Sequence, residues 1–221
     1  PERQRHLAAR DQVIEKGRRI VRDNNCYGCH TVDGHDGGIR AYYQQDLGLA
    51  PPILWGEGKK VQGYWLYDFL KSPSVIRPWI TVRMPTFGFS DEDATALVNY
   101  FQALDAVEPV YRPKDYHRPD PRLSATGREL FDKLQCMKCH MVGSQAPPGR
   151  AAGDLAPDLA MAKSRLSPDW ILEWLSDPAR IMPGTRMPTF FAEGQSPLPE
   201  ILNGKSADQI RAIRDHIQTL R

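Results

Sequence analysis

Cys26, Cys29 and His30 stand in the run Cys26-Tyr27-Gly28-Cys29-His30, and Cys136, Cys139 and His140 stand in Cys136-Met137-Lys138-Cys139-His140. Two thiols three positions apart, with an imidazole directly after the second, form the pattern that attaches a c-type haem. Both sulfurs close thioether bonds to vinyl groups, and the histidine ligates iron from the attached face. The two pentads use all four cysteines of the chain. Two other uses of the thiols compete. A pair of disulfides suits an exported chain, but a bridge across two residues does not call for a following histidine, and here that histidine occurs twice. A zinc ion needs four ligands at one point, whereas these pairs lie 110 positions apart, from Cys26 to Cys136.

If haem is attached, the remaining ligands decide its chemistry. A proximal histidine donates its second ring N–H to an acceptor that fixes its orientation; the backbone carbonyls of Pro52 and Pro157 are the candidates. On the far side, Met84 is the only methionine in residues 1–104 and sits in Arg83-Met84-Pro85-Thr86-Phe87. The same five letters return as Arg186-Met187-Pro188-Thr189-Phe190. An isolated methionine is usually core filler; a pair inside identical proline-held loops points to axial ligands. Met182 is the local rival to Met187, while Met137 and Met141 flank the attachment site. Arg83 and Arg186 are candidates to pair with a haem propionate or with the opposite domain. Histidine and methionine together fill both axial positions, raise the potential relative to two histidines, and leave no site for a substrate. Such a centre moves electrons.

The elements that must position these groups are duplicated. Gly17 precedes Cys26 by nine residues, as Gly127 precedes Cys136. Pro52-Ile53-Leu54 answers Pro157-Asp158-Leu159. Trp65-Leu66-Tyr67-Asp68-Phe69-Leu70 answers Trp170-Ile171-Leu172-Glu173-Trp174-Leu175, and Pro73 answers Pro178. Each half reads as helical. Residues 7–24 carry apolar positions at a loose helical period, and Ser124 or Thr126 is expected to cap a matching helix at 127–135. Middle helices are expected at 63–71 and 167–176, stopped by Pro73 and Pro178. Closing helices are expected at 91–104, capped by Ser90, and at 206–220, started by Ser206. Glycine costs helix stability, so Gly17 and Gly127 imply a close helix crossing, with Leu97 and Tyr100 opposite the first and Ile213 and His216 opposite the second. Residues 105–122, with Pro109, Pro113, Pro119 and Pro121, read as a stiff proline-rich linker. The organisation expected is 1–104, linker 105–122, and 123–221.

Composition excludes some partners. Basic and acidic residues number 13 and 12 in residues 1–104, 4 and 4 in 105–122, and 12 and 11 in 123–221. No segment has the basic bias of a nucleic-acid binder, and no apolar run is long enough to span a membrane. Covalent haem attachment follows export, so the expected location is the periplasm or the extracytoplasmic face of a bacterial membrane. A leader or an N-terminal anchor is then expected to have been lost, and the basic start (Arg3, Arg5, Arg10) suits a segment beside such an anchor.

On these motifs the sequence resembles the class I c-type cytochromes, in tandem di-haem form. The resemblance rests on the helix glycine, C-x-x-C-H, the P-x-L turn, the Trp-Leu helix, the methionine loop and the closing helix. It leaves out only residues 1–10 and the linker. It departs in Val21, where an aromatic residue is usual, in His216, where tyrosine is common, and in a longer loop at 33–50. It implies an all-α fold, one covalently attached haem c in each of two domains, and one-electron transfer in a respiratory or other membrane-associated chain. Partners would be redox proteins: a quinol-oxidising complex, a terminal oxidase or another cytochrome. The protein would act free or as the exported part of a complex, as a carrier and not an enzyme. The competing reading is a di-haem peroxidase or sulfur-compound oxidase, which needs one haem with an open position. Of the other residues that invite attention, His35 and His117 read as exposed loop histidines and His216 as a helix-packing residue. Trp65, Trp170 and Trp174 read as core around the haem, and Lys59, Lys60 and Arg165 as solvated surface.

Overall fold

The computed structural model describes residues 2–107, 117–143, 147–150 and 155–221, with the backbone alone for residues 2–6. Pro109 and Pro113 of the linker and the side chains of Arg3 and Arg5 lie outside the described residues. Among the described residues there is no β-strand, only two isolated bridges, Val32 with His35 and His140 with Ala156. The fold is all-α, as expected. The chain divides into two units, one of Pro1–Val75 and Ile80–Arg112, the other of Ile76–Trp79 and Pro113–Arg221.

In the first unit, helix α1 spans Glu2–Asp23, the one-turn α2 Glu57–Lys60, α3 Gly63–Lys71 and α4 Asp91–Leu104. Helix α4 starts where the sequence implies: the Ser90 hydroxyl accepts from the Asp93 backbone N–H at 3.0 Å, and three acidic residues occupy the first turn. Both features satisfy and complement the free N–H groups of a helix start. Helices α1 and α4 cross at Gly17. A Cβ built there would overlap the Cβ and ring of Tyr100, which is fully buried. Val21 of α1 and Leu97 and Phe101 of α4 are buried as well. Helix α2 repeats the device on a smaller scale, since a Cβ on Gly58 would meet the backbone carbonyl of Phe101.

In the second unit, α5 spans Pro121–Lys133, the one-turn α6 Ala162–Arg165, α7 Pro168–Ser176, the one-turn α8 Pro178–Ile181 and α9 Ser206–Ile217. The pairing of α5 with α9 answers that of α1 with α4. Gly127 lies against the α9 backbone, where a Cβ would collide with the Ala212 carbonyl. Leu130, Phe131, Ile171, Leu175, Ile213 and Ile217 form the buried core around it. His216 packs its ring edge-on to Phe131 at 5.1 Å, the helix-packing role expected of it.

At three helix starts the capping differs from the sequence reading. Helix α5 begins at Pro121, capped by Asp120, whose carboxylate accepts from the Arg122 N–H at 2.8 Å. Ser124 and Thr126 therefore lie inside the helix. Proline needs no N–H partner at the first helical position, so a residue read as linker starts the element. Pro178 likewise starts α8 under an Asp177 cap, where it was expected only to stop α7. Helix α9 has no side-chain cap at its start; the Ser206 hydroxyl donates to the Gly194 carbonyl at 2.5 Å.

One polar residue organises the second unit's ends. Asp215 of α9 is 2% exposed. Its carboxylate accepts from the Asp120 backbone N–H at 3.0 Å, from His117 Nε2 at 2.9 Å and from Arg214 Nε at 2.6 Å. A buried carboxylate needs such donors to offset its lost hydration. His117, expected to be a solvated loop residue, is instead held against the last helix.

The two glycine crossings differ in what a methyl group would meet. Gly127→Ala would strike rigid backbone, and Gly17→Ala a side chain that can shift. Overpacking a core costs about 1–3 kcal/mol. Gly127→Ala is expected at or above the top of that range and Gly17→Ala nearer the bottom, measured as the loss of denaturant midpoint at unchanged slope in the haem-loaded protein.

Candidate functional site

Each cysteine pentad follows its first helix through one residue in the left-handed region, Asn25 at φ 51° and Gln135 at φ 59°. That reversal turns the chain into a single 3₁₀ turn, Cys26–Gly28 in one half and Cys136–Lys138 in the other. The turn is closed by the Cys29 N–H on the Cys26 carbonyl at 3.1 Å, and by Cys139 on Cys136 at 3.2 Å. The histidine N–H also returns to the first cysteine's carbonyl, at 2.9 Å for His30 and 3.0 Å for His140. Residues three apart in such a turn eclipse one another, so the two thiols of each pentad share one face.

The four cysteines are free thiols, which removes the disulfide reading. Burial pushes the Cys26 thiol up to about 11 and the Cys136 thiol up to about 12. Both therefore stay neutral in surroundings that favour an apolar partner. Among the described residues no group of three or more His, Cys, Asp or Glu is placed to hold a metal ion, so the zinc reading has no ligand set.

The imidazoles are fixed in matching ways. His30 Nδ1 lies 2.8 Å from the Pro52 carbonyl oxygen, and His140 Nδ1 lies 2.8 Å from the Pro157 carbonyl oxygen. A carbonyl only accepts, so Nδ1 carries the proton and Nε2 keeps its lone pair for a metal. Burial lowers the pKa of His140, against the opposing pull of Pro157, and so favours the neutral imidazole. The prolines come to the histidines through backbone bonds between the loops. The Leu54 N–H donates to Thr31 at 2.9 Å, and in the second half Leu159 donates to Met141 at 2.9 Å. The second half adds a bond from the Ala156 N–H to Cys139 at 2.8 Å.

Met84 and Met187 are both half-buried, each in an irregular loop before its closing helix. Met187 packs against the second unit's core, and its sulfur accepts from the Trp174 indole N–H at 2.8 Å. Arg83 and Arg186 are exposed. The tryptophans expected around the haem occupy equivalent places on α3 and α7. Trp65 stacks on Phe69 at 4.9 Å, and Trp170 stacks on Trp174 at 5.1 Å. Trp55 is 52% exposed. Lys60, read as solvated surface, pairs at 3.0 Å with the buried Glu57.

Sequence reasoning missed Trp174 as a donor and Asp215 as an anchor. Phe69 at the position answering Trp174 was the available signal for the first. Little local marked the second, because two of its three partners lie 95 and 98 residues away.

The residues fit a covalently held haem in both halves. Each half offers two free thiols on one turn, an imidazole presenting Nε2, and a half-buried thioether in the loop that leads to the closing helix. Comparison with curated proteins and with solved structures gives no match. The family model described as Cytochrome c matches twice, over residues 14–105 and 124–221. The chain belongs to the cytochrome c family, with two such domains, two covalently bound haem c groups and a role in haem-based electron transfer.

Proposed function

We propose that this chain is a two-centre electron relay whose haems are both closed by histidine and methionine. Residues 1–104 form one cytochrome domain and 123–221 the other, joined by 105–122. Cys26 and Cys29 hold the first haem and Cys136 and Cys139 the second. His30 with Met84, and His140 with Met187, would ligate the two irons. Arg83 and Arg186 serve the propionates. The bound haem supplies reversible one-electron exchange at iron. The chain's own residues keep each iron from binding anything else and set its potential. Pro52 and Pro157 hold the imidazoles in the ligating tautomer, and the loops around Met84 and Met187 bring a neutral thioether, which favours ferrous iron.

The observation that carries this reading is the repeated lock of Nδ1 on a proline carbonyl at the same 2.8 Å in both halves. A structural histidine has no need of that match; a ligand that must present the same nitrogen twice does. The peroxidase or sulfur-oxidase alternative needs an open iron and finds no support in two identical methionine loops. No helix of the described residues is long and apolar enough to cross a membrane. The proposed setting is the periplasm or the outer face of a bacterial membrane. The proposed partners are redox proteins: a quinol-oxidising complex, a terminal oxidase or another cytochrome.

The oxidised protein is expected to show the weak methionine-to-iron charge-transfer band at the red end of the visible spectrum, with an intensity for two haems. The reduced protein is expected to bind no carbon monoxide. A high-spin ferric signal, or peroxide binding at either haem, would overturn the relay.

A further inference from the structure

The aromatic stacks on the two middle helices differ in one ring, and in the second half that ring reaches the methionine. On α3 the stacked pair is Trp65 and Phe69, with ring centroids 4.9 Å apart and planes at 16°. On α7 it is Trp170 and Trp174, at 5.1 Å and 17°. The stacks are nearly superimposable in kind, but phenylalanine has no polar hydrogen and tryptophan has one. That hydrogen is used: Trp174 Nε1 donates to Met187 Sδ at 2.8 Å. A thioether sulfur has two lone pairs. One would face iron, and the other takes the indole N–H.

We propose that Trp174 is a positioning and tuning residue for Met187, and that through it the second haem has the higher potential of the two. The inference rests on Met187 being the axial ligand. A donor on the free lone pair withdraws density from sulfur. Ferric iron needs that density more than ferrous iron does, so the bond favours the reduced state; hydrogen bonding to a ligand is one of the protein's levers on potential. Phe69 offers Met84 nothing of the kind. A single electron held by the chain therefore settles on the second centre, which is reduced as the first is oxidised. No proton moves, and no bond forms or breaks.

The order gives the chain a direction: electrons enter through the half with Met84 and leave through the half with Met187. The same bond also fixes the sulfur in one orientation, since a thioether pinned by an N–H cannot invert freely.

The test is a potentiometric titration of the full-length, haem-loaded protein and of Trp174→Phe, which copies the first half's stack and keeps the aromatic packing. Met187→Ala identifies which of the two titration waves belongs to the second haem. A neutral hydrogen bond is modest, so the ratio of reduced to oxidised second haem at a fixed potential should fall about threefold in Trp174→Phe. At 59 mV per decade for one electron, that is a shift of ~28 mV. The first wave should stay in place. Replacing all tryptophan by a fluorinated analogue, whose N–H is the stronger donor, should raise the second wave in the wild type and not in Trp174→Phe. Unchanged waves, or two waves moving together, would overturn the proposal, as would a lower wave for the second haem in the wild type. If Met187→Ala leaves the charge-transfer band at full strength, the ligand assignment itself has failed. If it removes half the band while Trp174→Phe leaves both waves in place, only the tuning role has failed.

Discussion

Replacing Cys136 and Cys139 together by alanine is expected to halve the covalently bound haem and to unfold the second domain while the first stays folded. Both thioether anchors of one centre are lost, and the partner pentad is untouched. The energetic argument is one of linkage. A covalent tether presents haem to its own site at an effective concentration in the millimolar range or above, and this binding stabilises only the folded state. Domains of this size keep roughly 5–15 kcal/mol in hand, and that margin here includes the haem, because among the described residues the second unit's core holds eleven buried apolar side chains. Without the tether, haem must bind from dilute solution, and several kcal/mol of that margin go. Haem per chain by alkaline pyridine spectrum should fall from two to one, and the far-ultraviolet helix signal should fall by about half. A variant that keeps both haems would show that these thiols are not the attachment points. Cys26→Ala with Cys29→Ala should give the mirror result.

With Met84 as the proposed second ligand of the first haem, Met84→Ala should convert one closed centre into an open one. The thioether leaves and nothing of its length replaces it, so iron is left with His30 and water. Three changes follow together. The charge-transfer band loses half its strength, the reduced protein takes up one carbon monoxide per chain, and the first haem's potential falls because the neutral sulfur no longer favours ferrous iron. Met187→Ala should do the same at the second haem, and the double variant should take up two. Uptake of carbon monoxide without loss of the band would mean that another side chain had been displaced. Arg83→Ala and Arg186→Ala, by contrast, touch exposed side chains and should leave the band intact.

What was legible in the sequence was whatever repetition or local chemistry marks. The pentads, the proline carbonyls at their histidines, the two glycine crossings and the Ser90 cap were all readable. Each depends on a short run of residues or on a copy elsewhere in the chain. Gly17 facing Tyr100 could be foreseen because a helix tolerates glycine at that cost only for a close neighbour. What stayed hidden is polar burial set by distant partners. Asp215 sits among Arg214 and His216 on a helix that looks amphipathic and solvated, yet it is buried because His117 and Asp120 reach it. Gln209 is fully buried for a similar reason, with its amide donating to the carbonyls of Leu198 at 2.8 Å and Ile201 at 2.7 Å. The Asp120 cap was masked by composition, since a proline-rich stretch reads as linker up to the residue that starts a helix.

The pairing of the first helix of each half with its last has a temporal meaning. Gly17 meets Tyr100, and Gly127 meets Ala212. Neither domain can be completed until its final helix has been made, and contacts at such separation are slow to form. During synthesis the pentads thus travel on an unfinished chain, reachable by whatever machinery joins haem to thiol. The first domain can shut roughly a hundred residues before the second. A product cut short ahead of Ser206 would carry one finished centre and one open half, with Leu130 and Phe131 left uncovered as a flag for proteolysis. The last helix is the closing signal of the assembly line, and the glycine beneath it is the latch.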